Sequence, residues 1–104
     1  MRVVITAGGT SEMIDSVRSI TNKSSGKLGS LIAENFYSFD NNIEVVYICP
    51  ENTILPTHFN SSKFRIINVT NTQSLTETIE PILNTETVDV FIHSMAVSDC
   101  SVDA

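Results

Sequence analysis

The sequence contains no tryptophan, three prolines and four glycines, and it is poor in basic residues. Six Lys and Arg stand against twelve Asp and Glu, which gives a net charge of −6. This balance disfavours a protein that binds nucleic acid or an anionic membrane through charge. No apolar run approaches the roughly 20 residues that span a bilayer, and the N-terminus does not have the pattern of a signal peptide. We therefore expect a cytoplasmic protein in which Cys49 and Cys100 are reduced thiols.

The few glycines are confined to two segments near the N-terminus. Gly8 and Gly9 end the first apolar run, and Gly26 and Gly29 close a hydroxyl-rich stretch that also carries three of the six basic residues. Glycine lets the backbone approach a ligand closely. Backbone N–H groups, a helix N-terminus and local positive charge are what a phosphate group requires. The pattern therefore predicts an anion site, with a plain tight turn at Gly8–Gly9 as the alternative.

Apolar, β-branched runs predict four strands. They cover Arg2–Ala7, Ile43–Cys49, Phe64–Val69 and Val88–His93. Between the first two runs, residues 11–25 have no clean period and predict an ordered loop, with at most a helical turn around Ile14–Val17.

Two segments have helical periodicity. The first is expected to begin near Ser25–Lys27 with a serine cap and to end before Asp40. Its apolar stripe, of the kind that packs a helix on a sheet, is Leu28, Leu31, Ile32, Asn35, Phe36 and Phe39. The second helix is capped by Asn71 or Thr72, and Pro81 lies near its end. Its stripe is Leu75, Ile79, Ile82 and Leu83.

This order of elements predicts an α/β fold over residues 1–104, a single domain with a Rossmann-like, mostly parallel sheet flanked by helices. The first and fourth predicted strands should be neighbours. Ligands of such sheets bind beyond the carboxyl ends of the strands, so the glycine segments and Ala96–Asp99 should meet in one crevice. Neither a G-x-G-x-x-G dinucleotide fingerprint nor a P-loop is present. His93 and Cys49 are expected in the core and His58 in solvent, and no metal-ligand spacing appears.

Three stretches carry a specific resemblance: TAGGTSE (6–12), DSVRSITNKSSGKLG (15–29) and MAVSD (95–99). Together they resemble the phosphopantothenate–cysteine ligase family (phosphopantothenoylcysteine synthetase) of coenzyme A biosynthesis, and specifically the N-terminal half of its stand-alone form. The resemblance implies that the carboxylate of 4'-phosphopantothenate attacks the α-phosphate of CTP, or of ATP in other members. Cysteine then displaces the nucleoside monophosphate from the acyl-nucleotide. Mg²⁺ would accompany the triphosphate.

The resemblance also implies roles for individual positions. Residues matching the nucleotide site are Gly8, Gly9, Ser24, Ser25, Gly26 and Gly29. Residues matching the substrate site are Arg18, Asn22, Ala96 and Asp99. Among these, Asn22 is the expected catalytic residue because its amide would orient the phosphopantothenate or acyl-nucleotide, and Arg18 would reach the substrate phosphate of a neighbouring subunit, which implies a homodimer.

Two features depart from the family pattern. Cys100 stands where the family usually has an aromatic residue. The chain also spans about half of the family's length, without its lysine-rich segment, so we expect catalysis to require the remaining half. Two alternatives stay open: an NAD(P)-binding oxidoreductase half-domain, with Glu51 just past the second strand as the ribose ligand, and a noncatalytic nucleotide-binding fragment.

Overall fold

A computed structural model describes residues 1–9, 11–13, 19–21 and 26–95, with the backbone alone described at 11–13 and 19–21. The elements in chain order are β1 (Arg2–Thr6), β2 (Ser11–Met13), β3 (Ser19–Thr21), α1 (Lys27–Phe39), β4 (Glu44–Cys49), β5 (Phe64–Asn68), α2 (Thr72–Thr85) and β6 (Val90–His93), with a 3-10 turn at Ser61–Lys63.

Four strands form one parallel sheet in the order β5-β4-β1-β6. β1 pairs with β4 on one side and with β6 on the other, and β4 pairs with β5, all in parallel register. The α/β class, the parallel sheet and the pairing of the first and fourth predicted strands are confirmed. Each of the four strands is shorter than predicted at one of its ends, by one residue in β1, β4 and β5 and by two in β6, which begins at Val90.

The sheet is covered on both faces, which explains the continuous apolar runs of its central strands. On one face, Val3 and Ile5 of β1 pack with α1 residues including Ala33 and Tyr37. On the other face, Val4 packs with a second cluster that contains α2 residues. None of the helices in the described part of the chain is long and apolar enough to cross a membrane.

Helix α1 begins and ends where the sequence predicts, but the face that it packs on the sheet overlaps only in part with the predicted stripe. The buried positions are Gly29, Ser30, Ala33 and Tyr37. Leu28 and Phe39 of the predicted stripe are instead 63% and 84% exposed. The physical reason is distance: small residues allow the helix to lie close to β1, and bulky ones would hold it away. The stripe prediction was therefore wrong for Leu28, Leu31 and Phe39, which are exposed. Ile32 and Phe36 are partly buried and do pack against the cluster that covers this face of the sheet.

The N-cap of α1 is not the predicted serine. Its N-cap is Gly26, in a left-handed conformation with φ 85°, and no side-chain cap bond is present there. The C-terminal bound agrees with the prediction, because the helix ends at Phe39 and Asp40 is already extended.

Helix α2 follows its predicted cap. The Asn71 side chain accepts from the Ser74 N–H at 2.8 Å, and the Ser74 hydroxyl accepts from the Asn71 N–H at 3.0 Å, which completes a capping box. The helix continues through Pro81 to Thr85. Leu83, assigned to the packed stripe, is half exposed.

The segment 11–25 was predicted as a loop, and part of it is instead β-structure. β2 and β3 pair antiparallel, with Ser11 opposite Thr21 and Met13 opposite Ser19. Strands of three residues are too short to show a period in the sequence. The predicted helical turn around Ile14–Val17 lies outside the described residues.

Candidate functional site

The carboxyl ends of three strands are tied together around the first glycine segment. The Ala7 N–H donates to the Ile48 carbonyl at 2.9 Å, and the Ser94 N–H donates to the Thr6 carbonyl at 3.0 Å. The Ser94 hydroxyl donates to the same Thr6 carbonyl. β1 therefore ends between its two neighbours, and the chain leaves the sheet through Gly8, whose φ of 87° is in the left-handed region.

The second glycine segment meets the first at this edge. Gly29, in the first turn of α1, is so close to β1 that a Cβ there would lie 2.5 Å from the Ala7 Cβ and 3.0 Å from Ser94 Oγ. Real Cβ atoms do not approach that closely, so a glycine is required for the helix to sit where it does. The two glycine segments therefore approach each other as predicted, whereas Ala96–Asp99, the third segment of the predicted crevice, lies outside the described residues.

A third segment, which the sequence analysis did not single out, completes this edge. Thr53, in the connection after β4, lies against both glycine segments. A Cβ on Gly8 would come within 2.7 Å of Thr53 Oγ1 and 2.9 Å of Pro50 Cδ, and a Cβ on Gly26 would meet Thr53 Cγ2. The Thr53 hydroxyl donates to the Pro50 carbonyl at 2.7 Å, which fixes its side chain. Both glycines therefore make room for protein atoms, a role that does not depend on a ligand.

Tyr47 links the second glycine segment to the connection after β4 from within the core. Its hydroxyl donates to the Ile54 carbonyl at 3.0 Å and lies 3.3 Å from the carbonyl of Gly26. The side chain is fully buried, and burial raises the pKa of its hydroxyl well above the ordinary value. The group therefore remains a neutral donor at physiological pH. A tyrosine inside an apolar strand was the available sequence signal, because a buried hydroxyl needs a partner.

His93 differs from its predicted place in the core. It lies exposed at the end of β6, where Nδ1 is 2.7 Å from the hydroxyl of Thr6 and the ring is stacked on Phe91. The two residues are register partners across β1 and β6, which places an imidazole at the carboxyl edge of the sheet. The predictions for the other two residues hold: His58 is exposed, and Cys49 is buried, with burial raising the pKa of its thiol.

A hollow of about 300 Å³ lies at the carboxyl ends of β4 and β5, beside Thr53. Its lining includes Glu51, the ribose ligand of the oxidoreductase alternative, together with Asn68 and Leu55. Asn68 is occupied structurally, since its side-chain amide donates to the Cys49 carbonyl at 3.2 Å.

Of the predicted nucleotide residues, Gly8, Gly9, Gly26 and Gly29 lie in the described part of the chain. The other predicted site residues lie outside the described residues: Arg18, Asn22, Ser24, Ser25, Ala96 and Asp99. Their roles remain predictions. Within the described ranges, no three His, Cys, Asp or Glu side chains are grouped so that they could hold a metal ion.

Comparison with known proteins gives a match over the whole chain. The family of the DNA/pantothenate metabolism flavoprotein C-terminal domain matches residues 1–104. The coenzyme A biosynthesis bifunctional protein CoaBC of Thermococcus kodakarensis is 38% identical over 100 residues, covering 94% of this chain and 23% of that protein.

Solved structures agree in fold. The DNA/pantothenate metabolism flavoprotein from Streptococcus pneumoniae is 41% identical with a TM-score of 0.83, covering 95% of this chain and 42% of that one. A Cab2 variant in complex with phosphopantothenate-cysteine has a TM-score of 0.79 at 20% identity, over 94% of this chain and 46% of its own, and supports the fold alone. The chain thus spans about a quarter of the curated relative and less than half of either solved chain.

Proposed function

The chain belongs to the family of the DNA/pantothenate metabolism flavoprotein C-terminal domain, and from this premise we propose that it is the nucleotide-binding part of a phosphopantothenate–cysteine ligase. Its homologues of the CoaBC type support a ligase of coenzyme A biosynthesis. The observation that carries the proposal is the family match over residues 1–104. The geometry agrees with it, because the turns at Gly8 and Gly26 and the start of α1 meet at the carboxyl edge of β1, where parallel α/β sheets bind their ligands. The same match favours the ligase over the oxidoreductase alternative.

In the proposed first step, a carboxylate oxygen of 4'-phosphopantothenate attacks the α-phosphorus of CTP. The bond from that phosphorus to the bridging oxygen breaks, and pyrophosphate leaves. The amino nitrogen of cysteine then attacks the acyl carbon, the acyl–oxygen bond breaks, cytidine monophosphate leaves and the nitrogen loses a proton. No protein nucleophile is needed, so positioning and charge stabilisation carry the chemistry.

The described residues would contribute the shape of the phosphate site. The turn at Gly8 and Gly9 and the first turn of α1 face the same edge, and the first N–H groups of a helix have no partner within the helix. Such N–H groups, with the positive end of the helix dipole, favour an anion. Ser24 and Ser25 precede this turn and would add hydroxyl donors.

The substrate side is proposed from the family resemblance alone. Asn22 would orient the phosphopantothenate carboxylate or the acyl-nucleotide, Ala96 and Asp99 would contact the pantothenate portion, and Arg18 would bind the phosphate bidentately from a neighbouring subunit. We accordingly propose a cytoplasmic homodimer. Mg²⁺ would arrive with the triphosphate and neutralise part of its charge.

The proposal is tested in a chimera in which this chain replaces the matched part of the Streptococcus pneumoniae relative. Asn22→Asp changes an amide into a carboxylate of nearly the same shape and places a negative charge beside phosphates. We expect it to lower formation of phosphopantothenoylcysteine by about a hundredfold or more. Asn84→Asp, an exposed position on α2, is the matched control and should leave the rate unchanged. Equal rates in the two variants would remove Asn22 from the mechanism, and a chimera without turnover would contradict the ligase assignment.

A further inference from the structure

The order of the strands marks one point on the carboxyl edge of the sheet. After β1 the chain moves to β4 and then to β5 on one side, and it returns to the other side of β1 with β6. The strand order therefore reverses between β1 and β6. In open α/β sheets such a reversal leaves a crevice beyond the carboxyl ends of the two strands, and ligands bind in that crevice.

The last residues of these two strands, Thr6 and His93, form a hydrogen-bonded pair at this point. They are register partners across β1 and β6, and Nδ1 of His93 lies 2.7 Å from the Thr6 hydroxyl oxygen. Thr6 is fully buried, whereas His93 is exposed. The pair therefore joins a fixed hydroxyl to an imidazole that a ligand in the crevice could reach.

Further contacts hold the imidazole in one orientation. Its ring lies nearly parallel to that of Phe91, with the two centroids 6.5 Å apart. The residue that follows, Ser94, donates from both its N–H and its hydroxyl to the Thr6 carbonyl. The strand end that carries His93 is therefore fixed against β1, which is the kind of rigid support that a catalytic side chain requires.

The bond to Thr6 also decides which nitrogen of His93 faces outward. Nδ1 is engaged by the hydroxyl, and no residue in the described part of the chain bonds Nε2. When the ring proton is on Nδ1, the ring donates to the Thr6 hydroxyl and Nε2 is free to accept a proton. Protonation of Nε2 leaves the bond to Thr6 in place, so the ring keeps its orientation in both charge states.

The second step of the proposed ligase reaction needs a proton acceptor. Cysteine carries an ammonium group near neutral pH, and an ammonium nitrogen has no electron pair with which to attack. The Tyr47 hydroxyl is a bonded donor and the Cys49 thiol is buried. Glu51 lies beyond β4, on the other side of β1 from β6. Among the described residues, His93 is the imidazole at this crevice, and imidazole is the commonest general base of enzymes.

We propose that His93 is the general base of the second step and that Thr6 positions it, an inference that rests on the proposed function. Nε2 takes one proton from the cysteine ammonium, which leaves the electron pair of that N–H bond on the nitrogen. The nitrogen attacks the acyl carbon, the acyl–oxygen bond breaks, and its electron pair leaves with cytidine monophosphate. The new amide nitrogen loses a second proton to water, and His93 returns the first to solvent.

The test uses the chimera with the Streptococcus pneumoniae relative and measures the two steps separately. His93→Gln keeps an exposed polar side chain but removes the basic nitrogen. We expect formation of phosphopantothenoylcysteine to fall about a hundredfold or more, while pyrophosphate release without cysteine stays at the wild-type rate. Hydroxylamine is largely uncharged near neutral pH and needs no base, so its trapping of the acyl-nucleotide as a hydroxamate should also be unchanged.

A second variant tests the positioning role of Thr6. Thr6→Val keeps the shape of the buried residue but removes the hydroxyl that holds Nδ1. It should slow the cysteine step about tenfold or more and leave hydroxamate formation unchanged, and urea unfolding verifies that the variant is folded. His58→Gln changes an exposed histidine outside the crevice. It is the matched control for His93→Gln and should leave both steps unchanged.

Two results with His93→Gln would overturn the proposal. One is a wild-type rate of the cysteine step. The other is an equal loss of pyrophosphate release or of hydroxamate formation, which would assign His93 to binding of the nucleotide instead. In either case, pyrophosphate release by the wild-type chimera would preserve the ligase assignment, whereas a wild-type chimera that releases none would contradict the ligase and the general base together.

Discussion

The methyl group of Thr53 lies against the backbone of Gly26, where a Cβ at that residue would otherwise stand. The hydroxyl oxygen of Thr53 likewise lies where a Cβ at Gly8 would come within 2.7 Å of it. Two turns that are distant in sequence are therefore shaped around one threonine from a third segment. Any ligand held by those turns depends on the position of this threonine, although its side chain need not contact the ligand.

Gly26→Ala should destabilise the protein for two separable reasons. A residue with a Cβ at φ 85° costs about 1–2 kcal/mol in the left-handed region, and the new methyl group collides with Thr53. We expect a loss of about 2 kcal/mol or more in urea unfolding.

The second cause can be isolated with Thr53→Ser, which removes Cγ2 but keeps a hydroxyl for the Pro50 carbonyl. In the Gly26→Ala variant, Thr53→Ser should restore part of the lost free energy of unfolding. In the wild type, the same substitution should lower the free energy of unfolding. Strictly additive effects of the two substitutions would contradict the contact, because neighbouring residues that collide must show coupling.

Gly29→Ala has two opposite effects on stability, a gain from helix propensity and a loss from overpacking. Alanine is favoured over glycine in a helix interior by about 1 kcal/mol, but the added Cβ would lie 2.5 Å from that of Ala7. Overpacking of this kind costs about 1–3 kcal/mol, so we expect net destabilisation in thermal or urea unfolding. Ser38→Ala, exposed on the same helix, is the control and should be neutral or slightly stabilising. A Gly29→Ala variant more stable than wild type would show that α1 does not lie this close to β1.

Tyr47→Phe removes the hydroxyl that bonds the Ile54 carbonyl and approaches the Gly26 carbonyl. A net loss of about 1–2 kcal/mol is expected, since the change leaves buried acceptors without a donor. Hydrogen exchange of the amides around Gly26 and Ile54 should become faster than that of β1. An unfolding free energy equal to that of wild type would mean that water replaces the hydroxyl without cost.

The free energy of unfolding should fall as the pH rises from about 10 to about 12. Burial raises the pKa of Tyr37 to about 12, against about 10 for an exposed tyrosine. The unfolded chain therefore loses this proton first, so the stabilisation is fully present below pH 10 and is lost as the pH rises towards 12. The urea-unfolding midpoint of the wild type should decline across this pH range, and that of the Tyr37→Phe variant should decline less steeply. Parallel curves for the two proteins would contradict a buried hydroxyl at Tyr37.

Much of the fold could be predicted because strong local patterns coincide with the elements. Apolar β-branched runs marked all four strands of the parallel sheet, and Asn71 marked the start of α2. The packed face of α1 could be predicted only in part, through Ile32 and Phe36. A stripe of large apolar residues was visible in the sequence, but the contact with β1 selects for small size, and Gly29 and Ala33 carry little weight in a hydrophobic pattern.

The site was predictable only in part for a related reason. Gly8 and Gly26 could be identified from composition and position, since glycines are few in this chain. Thr53 could not, because its importance comes from a contact between segments that are far apart in sequence. His93 was expected in the core because it lies in an apolar strand, and only the tertiary structure shows an exposed imidazole beside Thr6. For Tyr47 the sequence predicted a strand but not the bond from its hydroxyl to the Ile54 carbonyl.

The most direct test of the proposed function is pyrophosphate release by the chimera described above, measured with each substrate omitted in turn. We predict that release from CTP requires 4'-phosphopantothenate and proceeds without cysteine, and that the amide product appears only when cysteine is added. Binding of CTP without release of pyrophosphate in the presence of 4'-phosphopantothenate would contradict the ligase and support a noncatalytic nucleotide-binding protein.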